Sequence, residues 1–220
     1  MAPENKNALI PAEIAGGLAK YSDDVFANTS KSGDYLQRLQ LMTANSAKCK
    51  KNEFPINHYA LIRDQNHDDL GETVDVLVVT WRPKALDMND GVISVFKPDA
   101  PEFIRIQEKS AEKDSGCMYG PEFLVYIPAK EAFATFFCGS KSSRREAPAI
   151  KALMTKAATL GSKFVETKSY SWQTPTVVAC STPFELPDMS ELKKNVDKFN
   201  NPPDTEVEAA PTVEGEEQAR

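Results

Sequence analysis

Strand-like apolar runs outnumber helical ones along this chain. The clearest is 74–81 (VDVLVVTW): β-branched, bounded by polar residues and too short for a typical helix. Residues 54–63 (FPINHYALIR) alternate, with Ile56, Tyr59, Leu61 and Ile62 as apolar positions, and predict a second strand. A polar turn at 64–72 joins the two as an antiparallel pair. Short strands are expected at 92–96, 122–127 (EFLVYI) and 133–138 (FATFFC). Residues 34–42 (DYLQRLQLM) suit either a helix or a first strand.

Helical spacing is confined to a few places. Residues 101–111 have Pro101 near a first helical turn. In 148–160, Ile150, Leu153, Met154, Ala157 and Leu160 recur at helical intervals, and Gly161 stops the run. The pattern closes with a hairpin, its arms at 163–172 and 176–180 and its turn at Gln173-Thr174-Pro175, followed by a polar helix at 187–199.

Five to seven strands with one good helix between the late ones predict an α+β fold: a small closed or half-closed antiparallel β-barrel with one inserted helix. Residues 1–34 form an N-terminal arm, 35–186 the barrel, 187–200 a polar terminal helix and 201–220 a disordered acidic tail. There is no internal repeat, and no regular strand–helix alternation that would make a doubly wound parallel sheet.

Composition places the chain among globular proteins, with 41% hydrophobic and 9% aromatic residues. No run approaches the eighteen or so apolar residues of a membrane span, so no membrane partner is expected. The N-terminus lacks a basic start followed by an apolar stretch and is not a secretory signal. A cytoplasmic protein is expected, with Cys49, Cys117, Cys138 and Cys180 as reduced thiols, at least two of them buried in strands. Charge is unevenly spread. Six acids against Arg220 put −5 on residues 201–220, which leaves −1 for the other 200 residues of a chain whose net charge is −6. A near-neutral body can gather its lysines and arginines on one face and does not exclude a nucleic-acid partner.

Three stretches carry candidate chemistry. Along 163–172 a period of two puts Phe164, Glu166, Lys168, Tyr170 and Trp172 on one face. A cation interleaved with rings is what single-stranded nucleic acid needs: planes for bases and charge for phosphates. The bland alternative is that Tyr170 and Trp172 cap the core and Lys168 is solvated. In GSKSSRRE (139–146), Lys141, Arg144 and Arg145 lie between a strand and a helix start, a natural phosphate seat or else a capped helix with solvated arginines. Ser143 and Glu146 match a capping box, although Pro148 would then fall past the free N–H groups and favours a start nearer Arg145. Third, Trp81, Arg82 and Lys84 end the strongest strand around a rigid proline.

Other chemistries find no pattern. The run 64–69 has Asp69 where a calcium loop needs Gly. No Walker loop, G-x-S-x-G or HExxH occurs, and no paired carboxylates stand out. No cofactor, no metal and no catalysis are expected.

The layout resembles the single-stranded-DNA-binding proteins encoded by bacteriophages, with an oligonucleotide-binding (OB) barrel, a helix inserted before the last strands and an acidic tail. The stretch GSKFVETKSYSWQTPTVVACS is similar to the closing hairpin of that class, where a strand carrying Tyr-x-Trp turns back into an apolar strand. The resemblance implies binding without turnover during phage DNA replication or recombination, in the host cytoplasm. Bases would stack on Tyr170, Trp172 and Trp81, and Lys168, Arg82, Lys84, Lys141, Arg144 and Arg145 would neutralise phosphates. Replication or recombination proteins would engage the acidic tail. This tail departs from the class by ending Glu216-Glu217-Gln218-Ala219-Arg220, without a final aromatic. A homo-oligomer is compatible with this reading. Two other classes stay open: a phage structural or assembly protein that binds protein alone, and an enzyme with an unrecognised site near Cys117.

Overall fold

The computed structural model describes residues 36–63, 66–89, 92–167, 171–181 and 185–202. The predicted arm, the tail beyond Pro202, Lys168 and Tyr170 lie outside the described residues. Among the described residues nine strands form one sheet: β1 Gln37–Leu41, β2 Tyr59–Arg63, β3 Asn66–Asp69, β4 Val74–Asp87, β5 Ile93–Val95, β6 Cys117–Ile127, β7 Ala132–Phe137, β8 Ala157–Glu166 and β9 Ser171–Ala179. They run in the order β3-β2-β1-β7-β6-β4-β8-β9, with β5 paired to the end of β4. Four α-helices accompany them among the described residues: α1 Ala47–Lys50, α2 Pro101–Lys109, α3 Lys141–Lys151 and α4 Met189–Asn200. None is long and apolar enough to cross a membrane.

The sheet is a mixed half-barrel, within the closed-or-half-closed range that the strand pattern allows, and not the antiparallel OB-like barrel that the resemblance implies. β1 lies parallel to β7, while its other neighbour β2 is antiparallel. The sheet curls far enough that β2 meets β8, although four strands stand between them in the order. The Tyr59 hydroxyl donates to the Gly161 carbonyl at 2.8 Å, and the Ser162 hydroxyl bonds Asn57 beside it. Among the described residues the outermost strands β3 and β9 do not pair, so the barrel is open there. The apolar pattern identifies strand residues, but it carries no record of which strands are neighbours, and the β1–β7 contact spans nearly a hundred residues of chain.

The concave side holds the main core, with Leu39, Tyr59, Val76, Val78, Phe123, Val125, Phe136 and Leu160 under Ala147 and Ile150 of α3. The opposite face is covered by α4. Its Leu192, Val196 and Phe199 recur at i, i+4 and i+7 and bury against Leu77, Val79, Leu124, Tyr126 and Phe133. The Asp188 side chain caps this helix by accepting from the Ser190 amide at 2.6 Å. At the far end of β4 and β6, Phe103 and Ile106 of α2 pack on Ala85 and Cys117.

A bulge at Val79 shifts the β4–β6 register between Val78 and Thr80. Past it, Trp81 pairs with Phe123 and turns to the concave core, while Arg82 and Lys84 turn to the α4 face. Local patterns misplace three further elements. The polar segment 64–72 contains strand β3, a short charged edge. The inserted helix is Lys141–Lys151 rather than 148–160, and Ala157 and Leu160 are strand residues paired with Leu77 and Val74. The closing hairpin turns between Glu166 and Ser171, not at 173–175. Pro175 sits inside β9, which an edge strand tolerates.

Candidate nucleic-acid interface

Two of the predicted phosphate ligands are spent inside the fold. Arg82 and Glu122 are cross-strand partners on β4 and β6. The Arg82 guanidinium donates from Nε to Glu122 Oε2 at 2.8 Å, and Lys84 Nζ reaches Oε1 at 2.8 Å. The Glu122 side chain is 1% exposed, against 10% for Arg82 and 15% for Lys84. Burial alone would raise the Glu122 carboxyl, but the adjacent Arg82 and Lys84 outweigh it and hold it below the usual carboxylate range. Phe96 and Phe199 sandwich the guanidinium at 3.7 and 4.2 Å, and Arg82 also donates to the Phe199 carbonyl. This cluster pins α4 to the sheet. It is a structural lock and leaves neither Arg82 nor Lys84 as an open phosphate ligand.

Trp81 is also withdrawn. Its ring packs on the main core and is capped by Lys151, with Nζ 3.9 Å from the ring centroid. The predicted phosphate seat at the start of α3 is closed in the same way. Ser140, not Ser143, is the N-cap, and its hydroxyl accepts from the Ser143 amide at 3.1 Å. Arg144 folds back over the Tyr119 ring and donates to the carbonyls of Tyr119 and Gly139 at 2.8 and 2.6 Å. It ties the start of α3 to β6. Gly120 lies beside it, where a Cβ would sit 2.1 Å from the Cys138 carbonyl oxygen, so no larger residue fits. Lys141 and Arg145, one turn apart on α3, stay exposed.

The remaining candidates gather on the β8–β9 hairpin. β8 pairs with β4 only as far as Leu160, and residues 161–166 pair with β9 alone. Past Ser162 this two-stranded arm continues for about four residues, roughly 14 Å at the usual strand rise. Directly paired residues share a face, so Trp172 stands with Val165 and Lys163, while Phe164 and Gln173 share the other. The expected common face of Phe164, Glu166 and Trp172 is therefore corrected, because the turn falls between them. Phe164 is 64% exposed, and the Trp172 indole nitrogen is buried. Lys163 Nζ meets Glu146 Oε1 at 2.6 Å and ties the arm to α3.

The arm and α3 thus form one surface. Between Lys141 and Glu166 the chain has six Lys and Arg against two acids, in a body that is close to neutral. Lys141, Arg145, Lys151 and Lys163 of this stretch are exposed. The sequence pattern singles out Lys141 and Arg145 but passes over Lys163 and Phe164, because their prominence depends on where β4 stops pairing with β8.

Elsewhere the described residues offer little chemistry. Burial, and then Asp87, pushes the Cys117 thiol up, away from the thiolate a nucleophile needs. Burial pushes Cys138 up to about 12. His58 Nδ1 lies 2.9 Å from Asp69, and no three His, Cys, Asp or Glu side chains converge as metal donors among the described residues. Comparison with protein-family models, curated proteins and solved structures finds no match.

Proposed function

We propose that this protein binds single-stranded DNA along α3 and the β8–β9 arm. The observation that carries the reading is the arm itself, an exposed aromatic ring, Phe164, held in a basic stretch of the chain. Phe164 offers a plane on one face of the arm on which an unpaired base stacks, and Lys163 on the arm's other face, with Arg145 and Lys141 of α3, supplies cations for the phosphates of a strand that wraps the ribbon. A ring on a narrow ribbon reaches bases only where they are unstacked, which favours a single strand over a duplex. Trp172 lies on the same hairpin, and Lys168 and Tyr170, outside the described residues, follow Phe164 within six positions of sequence. The resemblance to phage single-stranded-DNA-binding proteins supplies the setting: protection of single strands during replication or recombination, with no chemical step.

Phe164→Ala tests the stacking role cleanly, because a largely exposed side chain contributes little to the core. Affinity for a single-stranded oligonucleotide should fall by about 1–3 kcal/mol, with the urea midpoint unchanged. Unaltered affinity would remove Phe164 from the interface. Trp172→Ala is a poorer probe, since the partly buried indole contributes to folding as well.

A further inference from the structure

The two edges of the sheet are built differently. β3 is four residues long and carries Asp68 and Asp69, both exposed, with Lys130 3.7 Å from Asp68. That is how proteins keep an edge from pairing with another chain. β9 is nine residues long, and the chain has no Asp, Glu, Lys or Arg from 169 to 184. Near its end Val178 is 62% exposed. Among the described residues β9 has a strand on one side only.

The hydrogen-bond phase shows which part of this edge is open. The Cys180 amide donates to the Ala157 carbonyl of β8 at 3.1 Å. Even-numbered residues therefore turn their backbone groups toward β8, and odd-numbered ones turn theirs outward. Pro175 belongs to the outward set and has no N–H, so it blocks the middle of the edge. Beyond it, the N–H and C=O groups of Val177 and Ala179 point out.

We propose that this segment is the dimer contact of the protein, pairing antiparallel with the same segment of a second copy about a two-fold axis at Val178. In that register Val177 of each protomer exchanges both backbone hydrogen bonds with Ala179 of the other. Val178 then faces its own counterpart as a non-hydrogen-bonded pair, the arrangement in which side chains come closest. The exposed valine is covered, the Pro175 gap falls outside the paired stretch, and no charge meets another. A second copy fits this edge better than the acidic tail does. The copy brings an uncharged strand, whereas residues 203–220 carry six acids and two prolines. The contact is isologous and closes at two protomers. It is short, so the dimer is expected to be weak and to depend on concentration.

Sedimentation of the full chain should show a monomer–dimer equilibrium that shifts to dimer as concentration rises. Val178→Lys places two like charges opposite each other and should raise the dimer dissociation constant by roughly tenfold or more. The urea midpoint should stay unchanged, since Val178 lies outside the core. Val178→Cys should give a disulfide-linked dimer under mild oxidation, because directly opposed strand positions suit the bond. The same substitution at exposed Met88 should not. A chain that stays monomeric at every concentration, or a dimer indifferent to Val178→Lys, would overturn the proposal.

Discussion

Glu122→Gln is expected to lower folding stability by about 3–5 kcal/mol near neutral pH, the usual cost of removing one partner from a buried ion cluster. The substitution keeps the shape of the side chain but leaves Arg82 and Lys84 facing a neutral amide in a site where Glu122 is almost wholly buried. The loss should reach α4, since Arg82 holds Phe199 through its ring face and its carbonyl. The pH dependence gives the effect a signature. The folded-state carboxyl lies below its ordinary value, so its stabilisation is fully present above the unfolded pKa of about 4.3. It fades as pH falls through the lower folded value. The gap between wild type and Glu122→Gln in urea melts should therefore be widest near pH 7 and should close in acid. A gap independent of pH would mean that packing, not charge, makes the difference.

The second large effect concerns binding. Replacing Lys141, Arg145 and Lys163 together by Ala should flatten the plot of log affinity against log salt by about 2, at roughly 0.7 per phosphate contact for a single strand. At 0.1 M salt the same relation gives a loss of affinity of about 100-fold. Stability should hardly change. All three side chains are exposed, and the Lys163–Glu146 pair they include is a surface contact worth no more than about 1 kcal/mol. An unchanged slope would show that these cations are only solvated surface. Arg144 is left out deliberately, because its hydrogen bonds to the Tyr119 and Gly139 carbonyls make it part of the fold.

The strands at 74–81, 122–127 and 133–138 were legible because β-branched and aromatic residues crowd short bounded runs. What failed were inferences that needed a neighbour. Ile150, Leu153 and Met154 set a helical rhythm that Ala157 and Leu160 continue by coincidence, and only the pairing of Leu160 with Val74 makes that segment a strand. β3 reads as a polar turn because an edge strand has no core face to fill. The bulge at Val79 leaves no local mark, yet it decides that Trp81 points inward and that Arg82 and Lys84 meet Glu122. The same holds for the interface. That lysines and arginines cluster after residue 140 is visible in the sequence. Which of them are free depends on cross-strand register and on carbonyls brought from distant strands, so Arg82, Lys84 and Arg144 could not be told from Lys141 and Arg145 in advance. The exposure of Phe164 has no local mark either, since it follows from the arm outrunning β4.

The most direct measurement is an anisotropy titration of the full chain against labelled single-stranded and double-stranded oligonucleotides of equal length, repeated across a range of salt. Saturable binding with a clear preference for the single strand, weakening linearly in log–log form as salt rises, is the predicted result. No binding at low salt, or equal affinity for duplex and single strand, would contradict the account.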